Sequence, residues 1–178
     1  DGIPYHKTLT AVYFEDSYLK NWLNTVFLDT AFTEEEQAEI LDFYYGKVHI
    51  PSKQEISYAV YGFINNSSRS AINTDYVIDR FEEYANPSEL PFVLNAPDTF
   101  GAYWLREPVG ADGVPCVVRG TGYGDVQSYG SITSEIVGVR PMIRLNTAAK
   151  GWSYAGKLNN FGNKVKEVQT ITGSNSFE

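Results

Sequence analysis

The first half of the fold is decided by the stretch Asp16-Ser17-Tyr18-Leu19-Lys20-Asn21-Trp22-Leu23-Asn24-Thr25-Val26-Phe27. Its apolar residues recur at helical spacing and are Leu19, Trp22, Leu23, Val26 and Phe27. Asp16 or Ser17 can cap the helix, because a short polar side chain there accepts a hydrogen bond from an unpaired backbone amide. The stretch therefore predicts an amphipathic helix that turns Trp22 toward the core.

Two further helices are predicted from capping-box spacing, in which a Ser or Thr precedes a Glu by three residues. Thr33 and Glu36 have this spacing, and their helix is expected to end near Tyr44 and Tyr45. A second pair, Ser52 with Glu55, predicts a short helix. The residues that this short helix is expected to turn inward are Ile56, Ala59 and Val60.

After Pro91, helical spacing gives way to short β-like runs separated by glycine-rich turns. The strand candidates, with one earlier short run, are Lys47–Ile50, Tyr103–Arg106, Pro115–Arg119 and Val137–Leu145. Pro141 is expected to interrupt the last of these, since proline has no amide hydrogen to donate to a strand ladder. Helices followed by strands predict an α+β fold. Residues 1–147 are interpreted as one domain, and residues 148–178 as an extension with a strand expected at Val165–Ile171.

Charge and composition narrow the range of partners. The chain has 14 Lys and Arg against 22 Asp and Glu, a formal net charge of −8, and no basic run. An acidic surface repels phosphate backbones, so neither nucleic acid nor an anionic membrane is an expected partner. No stretch approaches the ~20 apolar residues that a membrane-spanning helix needs. The single cysteine, Cys116, lies in an apolar run and is expected to be an inert, buried side chain.

The motifs of common enzyme and metal sites are missing from the sequence. There is no GxSxG nucleophile elbow, and the run Gly120–Gly124 lacks the spacing of a phosphate-binding loop. His6 and His49 are the two histidines and do not form an HExxH pattern. The acids that could supply calcium ligands do not have ligand spacing, and they are Asp112, Asp125 and Glu135. No metal and no cofactor is expected, although a hydrolase built on two carboxylates remains open.

The segment Gly120–Gly138 has the composition of a binding loop, because it is rich in Gly, Ser and Tyr. Tyrosine supplies a large rigid contact surface, while Ser and Gly adapt their hydrogen bonding. The candidate ligand-binding residues of this segment are Tyr123, Asp125, Gln127 and Tyr129. The alternative interpretation is a solvated β-hairpin whose tyrosines cover its base.

A tryptophan and two arginines in the strand region allow two interpretations. Trp104 is a candidate ligand contact, and it can equally be a core residue. Arg106 and Arg140 could clamp a ligand carboxylate. Alternatively, each is a buried structural residue held by a carboxylate such as Asp98 or Glu107, and this structural role is preferred.

Taken together, several segments resemble a bacterial family known only as a domain of unknown function. They are Asp16–Asn24, Ala31–Glu36, Val48–Ser52, Asn73–Tyr76, Tyr103–Arg106 and Gly138–Pro141, spread over Pro4–Asn146. The last half of that family is similar to C-type-lectin-like proteins, which include formylglycine-generating enzymes and phage receptor-binding proteins. Family members usually begin with a strand pair ahead of Pro4, so either this chain lacks those strands or its extension after Asn146 supplies them.

The resemblance implies a C-type-lectin-like fold in a secreted or surface protein, with the ligand surface on the late loops. The chemistry of formylglycine-generating enzymes needs a cysteine pair, which Cys116 alone cannot provide. The expected function is therefore a non-enzymatic binding module for a glycan or another surface macromolecule. The alternatives are an assembly module that packs on neighbouring domains of a larger protein, and the carboxylate-dependent hydrolase.

Overall fold

The architecture is α+β, as predicted. The computed structural model describes residues 3–10, 12–73, 100–109, 114–119, 123–128, 132–135 and 137–153. Within these ranges, helices come first and antiparallel strands follow. The proposed boundary at residue 147 stays a prediction, and most of the extension, including Val165–Ile171, lies outside the described residues.

The N-terminal helix has three parts: an α-helical segment α1 (Tyr18–Trp22), a π-helical segment (Leu23–Phe27) and α2 (Leu28–Ala31). Ser17 caps it, because its Oγ accepts a hydrogen bond from the Lys20 amide at 3.0 Å. The wider π turn changes the helical period, and Val26 is 55% exposed instead of facing the core. None of the helices in the described ranges has the length and apolar character that crossing a membrane requires.

Helix α3 (Glu34–Ala38) begins as predicted and ends early. The Thr33 side chain accepts from the Glu36 amide, and the Glu36 carboxylate accepts from the Thr33 amide at 2.8 Å. The expected end near Tyr44 and Tyr45 is wrong, since Leu41 already donates its amide to the Arg144 carbonyl at 2.8 Å. Backbone pairing with a distant segment thus replaces the helical hydrogen bonds from Leu41 onward.

Two antiparallel sheets contain the strands. In the smaller sheet, β1 (Val48–His49) pairs with β5 (Met142–Ile143). The larger sheet has the order β2 (Tyr103–Val109), β3 (Val114–Val118) and β4 (Val126–Ser128). Strand β4 was not among the strand candidates, although it lies in the segment whose alternative interpretation was a β-hairpin. The long run expected at Val137–Leu145 is interrupted at Pro141, because Gly138 bridges Tyr103 and ladder pairing resumes only at Met142.

The second capping-box pair forms as predicted but starts short 3₁₀ turns. The Ser52 amide donates to Glu55 Oε2 at 2.7 Å, and the Glu55 amide donates to Ser52 Oγ at 2.9 Å. The turns that follow are Glu55–Ser57 and Ala59–Tyr61. Ile56 is buried, whereas Ala59 and Val60 are exposed, so their expected inward placement is wrong. A 3₁₀ turn has three residues per turn, which places these side chains differently from an α-helix.

The larger sheet separates two hydrophobic clusters, because successive residues of a strand point to opposite faces. The first cluster lies toward the N-terminal helix and contains Tyr5, Phe14, Leu19, Leu23, Leu28, Ile40, Val48, Ile50, Trp104, Val117, Ile132 and Val137. The second cluster lies on the other face and contains Ile56, Ala71, Tyr103, Leu105, Cys116 and Val118. Cys116 is therefore buried, as predicted.

Candidate functional site

A cavity of about 360 Å³ opens beside the second cluster. Its lining combines aromatic, apolar and charged side chains: Pro51, Glu55, Tyr61, Phe63, Tyr103, Arg140, Pro141 and Met142. Two regions build it, the 3₁₀ turns after Ser52 and the segment that leads from Gly138 into β5. A concave site with aromatic walls and a few polar groups is the usual form of a small-ligand site.

Tyr103 forms a wall of the cavity and is firmly held. Its hydroxyl donates a hydrogen bond to the Arg69 carbonyl at 2.8 Å. Burial raises the pKa of Tyr103 to about 12, so the phenol is neutral at physiological pH. The Arg140 guanidinium lies over the ring, 4.8 Å from its centroid, which is cation–π geometry. The ring therefore fixes the position of a cation at the cavity.

Arg140 differs from the sequence interpretation. The expected burial is wrong, because the residue as a whole is exposed, although its guanidinium lies over the Tyr103 ring. Within the described ranges no carboxylate lies within ion-pairing distance of it, while Asp98, one of the expected partners, lies outside those ranges. Desolvation of the guanidinium by the surrounding protein lowers the pKa of Arg140, yet an arginine keeps its proton at neutral pH. Arg140 thus presents a positive charge at the cavity.

Arg106 is buried, as expected, but its carboxylate partner is Glu55 rather than Asp98 or Glu107. Arg106 Nη2 lies 3.1 Å from Glu55 Oε2, and Nη1 donates to the Ile50 carbonyl at 2.9 Å. Glu107 is used elsewhere and accepts the Lys53 amide. The Arg106–Glu55 pair joins β2 to the 3₁₀ turn Glu55–Ser57, and Glu55 lines the cavity.

Electrostatics keep Glu55 ionised and His49 neutral. Partial burial raises the pKa of Glu55. Hydrogen bonds from Ser52 and the charge of the Arg106 guanidinium lower it by more, so the pKa lies below its ordinary value of 4.5. Burial and Arg106 lower the pKa of His49 below 6.5. A carboxylate with a lowered pKa is a poor general acid, so this pair is better suited to structure and binding than to proton transfer.

The segment Tyr58–Ile64 borders the cavity and is unusually apolar for a surface. Its exposed side chains, with exposed fractions, are Tyr58 (46%), Val60 (83%), Tyr61 (61%) and Ile64 (74%). Gly62 turns the chain in the left-handed region at φ 90°. Sequence reasoning missed this segment, although its two tyrosines and its glycine are part of the composition signal that singled out Gly120–Gly138.

The predicted late-loop residues have different positions. Tyr123 is 72% exposed, Asp125 is exposed, and Gln127 is half-buried on β4 opposite Val117. Tyr129 lies outside the described residues. The structure thus places Tyr123 and Asp125 at the surface at the start of β4.

Gly124, in the Gly120–Gly138 segment that we call the late loop, packs against Asn66 and Arg69 near the cavity. A Cβ added to Gly124 would lie 1.7 Å from the Asn66 carbonyl oxygen, so only glycine fits there. The same Cβ would lie 3.1 Å from Cβ of Arg69, whose carbonyl holds the cavity residue Tyr103. Arg69 therefore links the late loop to the cavity wall.

The two tryptophans singled out in the sequence lie in or against the first cluster. Trp104 is completely buried, and its indole donates to the Ile3 carbonyl at 2.9 Å, so its rings are covered by protein. Trp22 is half-buried and packs 5.7 Å from Phe27, centroid to centroid. Asp125 and Glu135 are exposed, and Asp112 lies outside the described ranges, within which no three acidic, histidine or cysteine side chains cluster as metal ligands.

Comparison with known proteins finds a family whose model matches the first part of the chain. A family model described as a domain of unknown function (DUF6273) matches residues 1–56. This range includes Asp16–Asn24, Ala31–Glu36 and Val48–Ser52, whereas Tyr103–Arg106 and Gly138–Pro141 lie beyond it. The first part of the chain is therefore similar to an uncharacterised family. No match to a curated protein or to a solved structure was found.

Proposed function

We propose that this chain is a non-enzymatic binding module of a secreted or surface bacterial protein, and that it recognises a glycan on another surface. The observation that supports this most is the cavity walled by Tyr61, Phe63 and Tyr103 with Arg140 at its side. Aromatic faces pack against the C–H faces of sugar rings, and nearby charged groups bind hydroxyls. Such a site can bind a sugar by stacking and hydrogen bonding alone, without a catalytic side chain.

The proposed binding surface has two adjoining parts, the cavity and the late loop with Tyr123 and Asp125. They are linked through Arg69, because Gly124 packs against it and its carbonyl accepts a hydrogen bond from the cavity residue Tyr103. We further propose a C-type-lectin-like fold, a proposal supported by the order of helices and short antiparallel strands and by the resemblance of the YWLR and GVRP segments. In that fold, late loops form the ligand surface.

One observation favours the alternative of an assembly module. Val60, Tyr61 and Ile64 expose large apolar side chains on one short segment. Exposed apolar groups of this kind often mark protein–protein contacts. A neighbouring domain of the same polypeptide could cover them, and the same surface would then be occupied by protein instead of glycan.

A glycan array separates these functions, with the Tyr61→Ala variant as the decisive probe. Tyr61 is exposed and lines the cavity, so we expect its loss to lower glycan binding by about tenfold or more while the fold is kept. The matched control is Tyr44→Ala, because Tyr44 is 79% exposed and does not line the cavity. The Tyr123→Ala/Tyr129→Ala double variant tests the late loop.

Two results would overturn the binding proposal. An array without signal, both in calcium and in a chelator, would exclude glycan recognition and favour assembly. Equal loss of binding in the Tyr44 and Tyr61 variants would show that the cavity is not the site. An assembly module would instead self-associate or aggregate through Tyr58–Ile64, and sedimentation velocity would detect this.

A further inference from the structure

We propose that the cavity binds a uronic acid residue of a glycan, with Arg140 holding the sugar carboxylate. This inference rests on the proposed function and narrows it to one ligand chemistry. Three kinds of group on the cavity wall support it: the Arg140 guanidinium, the Glu55 carboxylate and the aromatic rings.

The first step concerns the charge of Arg140. Across the described ranges, the ion pair is Arg106 with Glu55, and it neutralises the carboxylate that lines the cavity. The charge of Arg140 is therefore in excess at this point of a chain whose formal net charge is −8. An arginine fork binds a carboxylate through two parallel hydrogen bonds, which a neutral sugar does not offer.

The second step concerns how Arg140 is held. Its guanidinium already rests on the Tyr103 ring at 4.8 Å, and the Tyr103 hydroxyl is fixed by the Arg69 carbonyl. A cation that is positioned before binding loses less side-chain entropy when the ligand arrives. A guanidinium that lies over an aromatic ring keeps its in-plane N–H groups as hydrogen-bond donors for an anion.

The third step explains why the ligand is a sugar acid rather than a simple organic acid. Glu55 Oε2 accepts hydrogen bonds from Ser52 and Arg106, and a carboxylate with about four lone-pair sites retains capacity for a ligand hydroxyl. The exposed Tyr61 ring offers a face for the C–H groups of a pyranose. A volume of about 360 Å³ lies at the lower end of the usual range for small-ligand sites and suits one or two rings.

The test compares an oligosaccharide that ends in glucuronate with the same oligosaccharide ending in glucose, by isothermal titration calorimetry. We expect the glucuronate form to bind roughly ten- to a hundredfold more tightly, because a charge-assisted hydrogen-bond pair is lost without the carboxylate. Arg140→Gln is expected to remove this preference, and Arg140→Lys to retain part of it. Affinity for the acidic form should fall as salt rises.

Arg144→Gln is the matched control, because it removes the same charge from an exposed arginine that lies over Phe43, outside the cavity. Titration with free glucuronate tests whether a single sugar is enough for binding, and binding that depends on Arg140 would support the proposal.

If both oligosaccharides bind wild type equally and Arg140→Gln changes neither affinity, the uronic acid inference is wrong while glycan binding stands. If a short peptide with a free C-terminal carboxylate competes with glucuronate and binds more tightly than glucuronate does, the sugar assignment is overturned. If no glycan binds at all, the proposed function itself fails.

Discussion

At the scale of single residues, Arg106 is a charged side chain that lies almost entirely inside the protein. Its side chain is 9% exposed and contacts the Glu55 carboxylate, the Ile50 carbonyl and the Tyr45 ring. His49 Nδ1 lies 3.3 Å from both Arg106 Nη1 and the Ile50 carbonyl oxygen, and it can accept from the guanidinium only as a neutral imidazole. Burial and the nearby Arg106 guanidinium lower the pKa of His49 and so favour the neutral ring. Protonation would set a second cation against Arg106.

This arrangement predicts that stability falls at acidic pH. Because the native pKa of His49 is lowered, the unfolded chain takes up its proton first, and stability is lost as the pH falls below 6.5. The lowered pKa of Glu55 adds a second loss below pH 4.5. Urea unfolding measured at stepwise lower pH checks both. His49→Gln keeps an acceptor for Arg106 and should flatten the first step alone; an unchanged first step in this variant would exclude His49 as its source.

Sequence reasoning found half of this network. An arginine inside an apolar strand implies burial, and burial implies a partner. The partner's identity depends on the fold, because Glu55 lies 51 residues before Arg106 in the chain. A similar limit applies to Arg140. Its exposure depends on the path of the chain after Gly138, which bridges Tyr103 of β2, and this path is not visible in the sequence.

At the scale of elements, Asn24 joins the N-terminal helix to β1. Its side-chain amide donates to the Tyr45 and Val48 carbonyls at 3.3 and 2.8 Å, and its Oδ1 accepts the Val48 amide at 3.0 Å. Gly46, at φ 101°, provides the space for this side chain, since a Cβ there would lie 2.3 Å from Asn24 Oδ1. One side chain thus supplies the ladder partner that β1 lacks on this edge.

We expect Asn24→Ala to lower the free energy of unfolding by about 1–3 kcal/mol, because the Val48 amide loses its acceptor in a buried place. Asn21→Ala is the control: it makes the same chemical change on an exposed position of the same helix and should be within about 0.5 kcal/mol of wild type. Urea denaturation followed by circular dichroism measures both. Equal effects of the two substitutions would mean that Asn24 does not connect the elements.

Element starts were predictable here and element ends were not. The starts at Ser17, Thr33 and Ser52 follow from local hydrogen bonds between residues three apart, which spacing reveals. The end of α3 depends instead on pairing with residues near Arg144. Strand β4 was missed because its Val-Gln-Ser sequence is too short and polar to show a period, and it forms only by pairing with β3.

At the scale of the whole molecule, the two clusters share one sheet. In β2, Trp104 faces the first cluster while Tyr103 and Leu105 face the second, and β3 divides its residues in the same way. Opening one cluster therefore disturbs the strands that support the other. We expect the cavity, which is built on the second cluster, to be as stable as the helical face.

The single thiol of Cys116 tests this cooperativity, because it lies wholly buried in the second cluster. Burial also raises its pKa, so little reactive thiolate forms in the native state. We expect Ellman's reagent to modify Cys116 only as the chain unfolds, with a denaturant midpoint equal to that of the near-ultraviolet circular dichroism of the buried aromatic residues. Fully denatured protein, which should give one thiol per chain, is the control. Rapid modification in native buffer would show instead that the cavity side opens independently of the helical face, and the cavity would then be a locally unstable site rather than a preformed one.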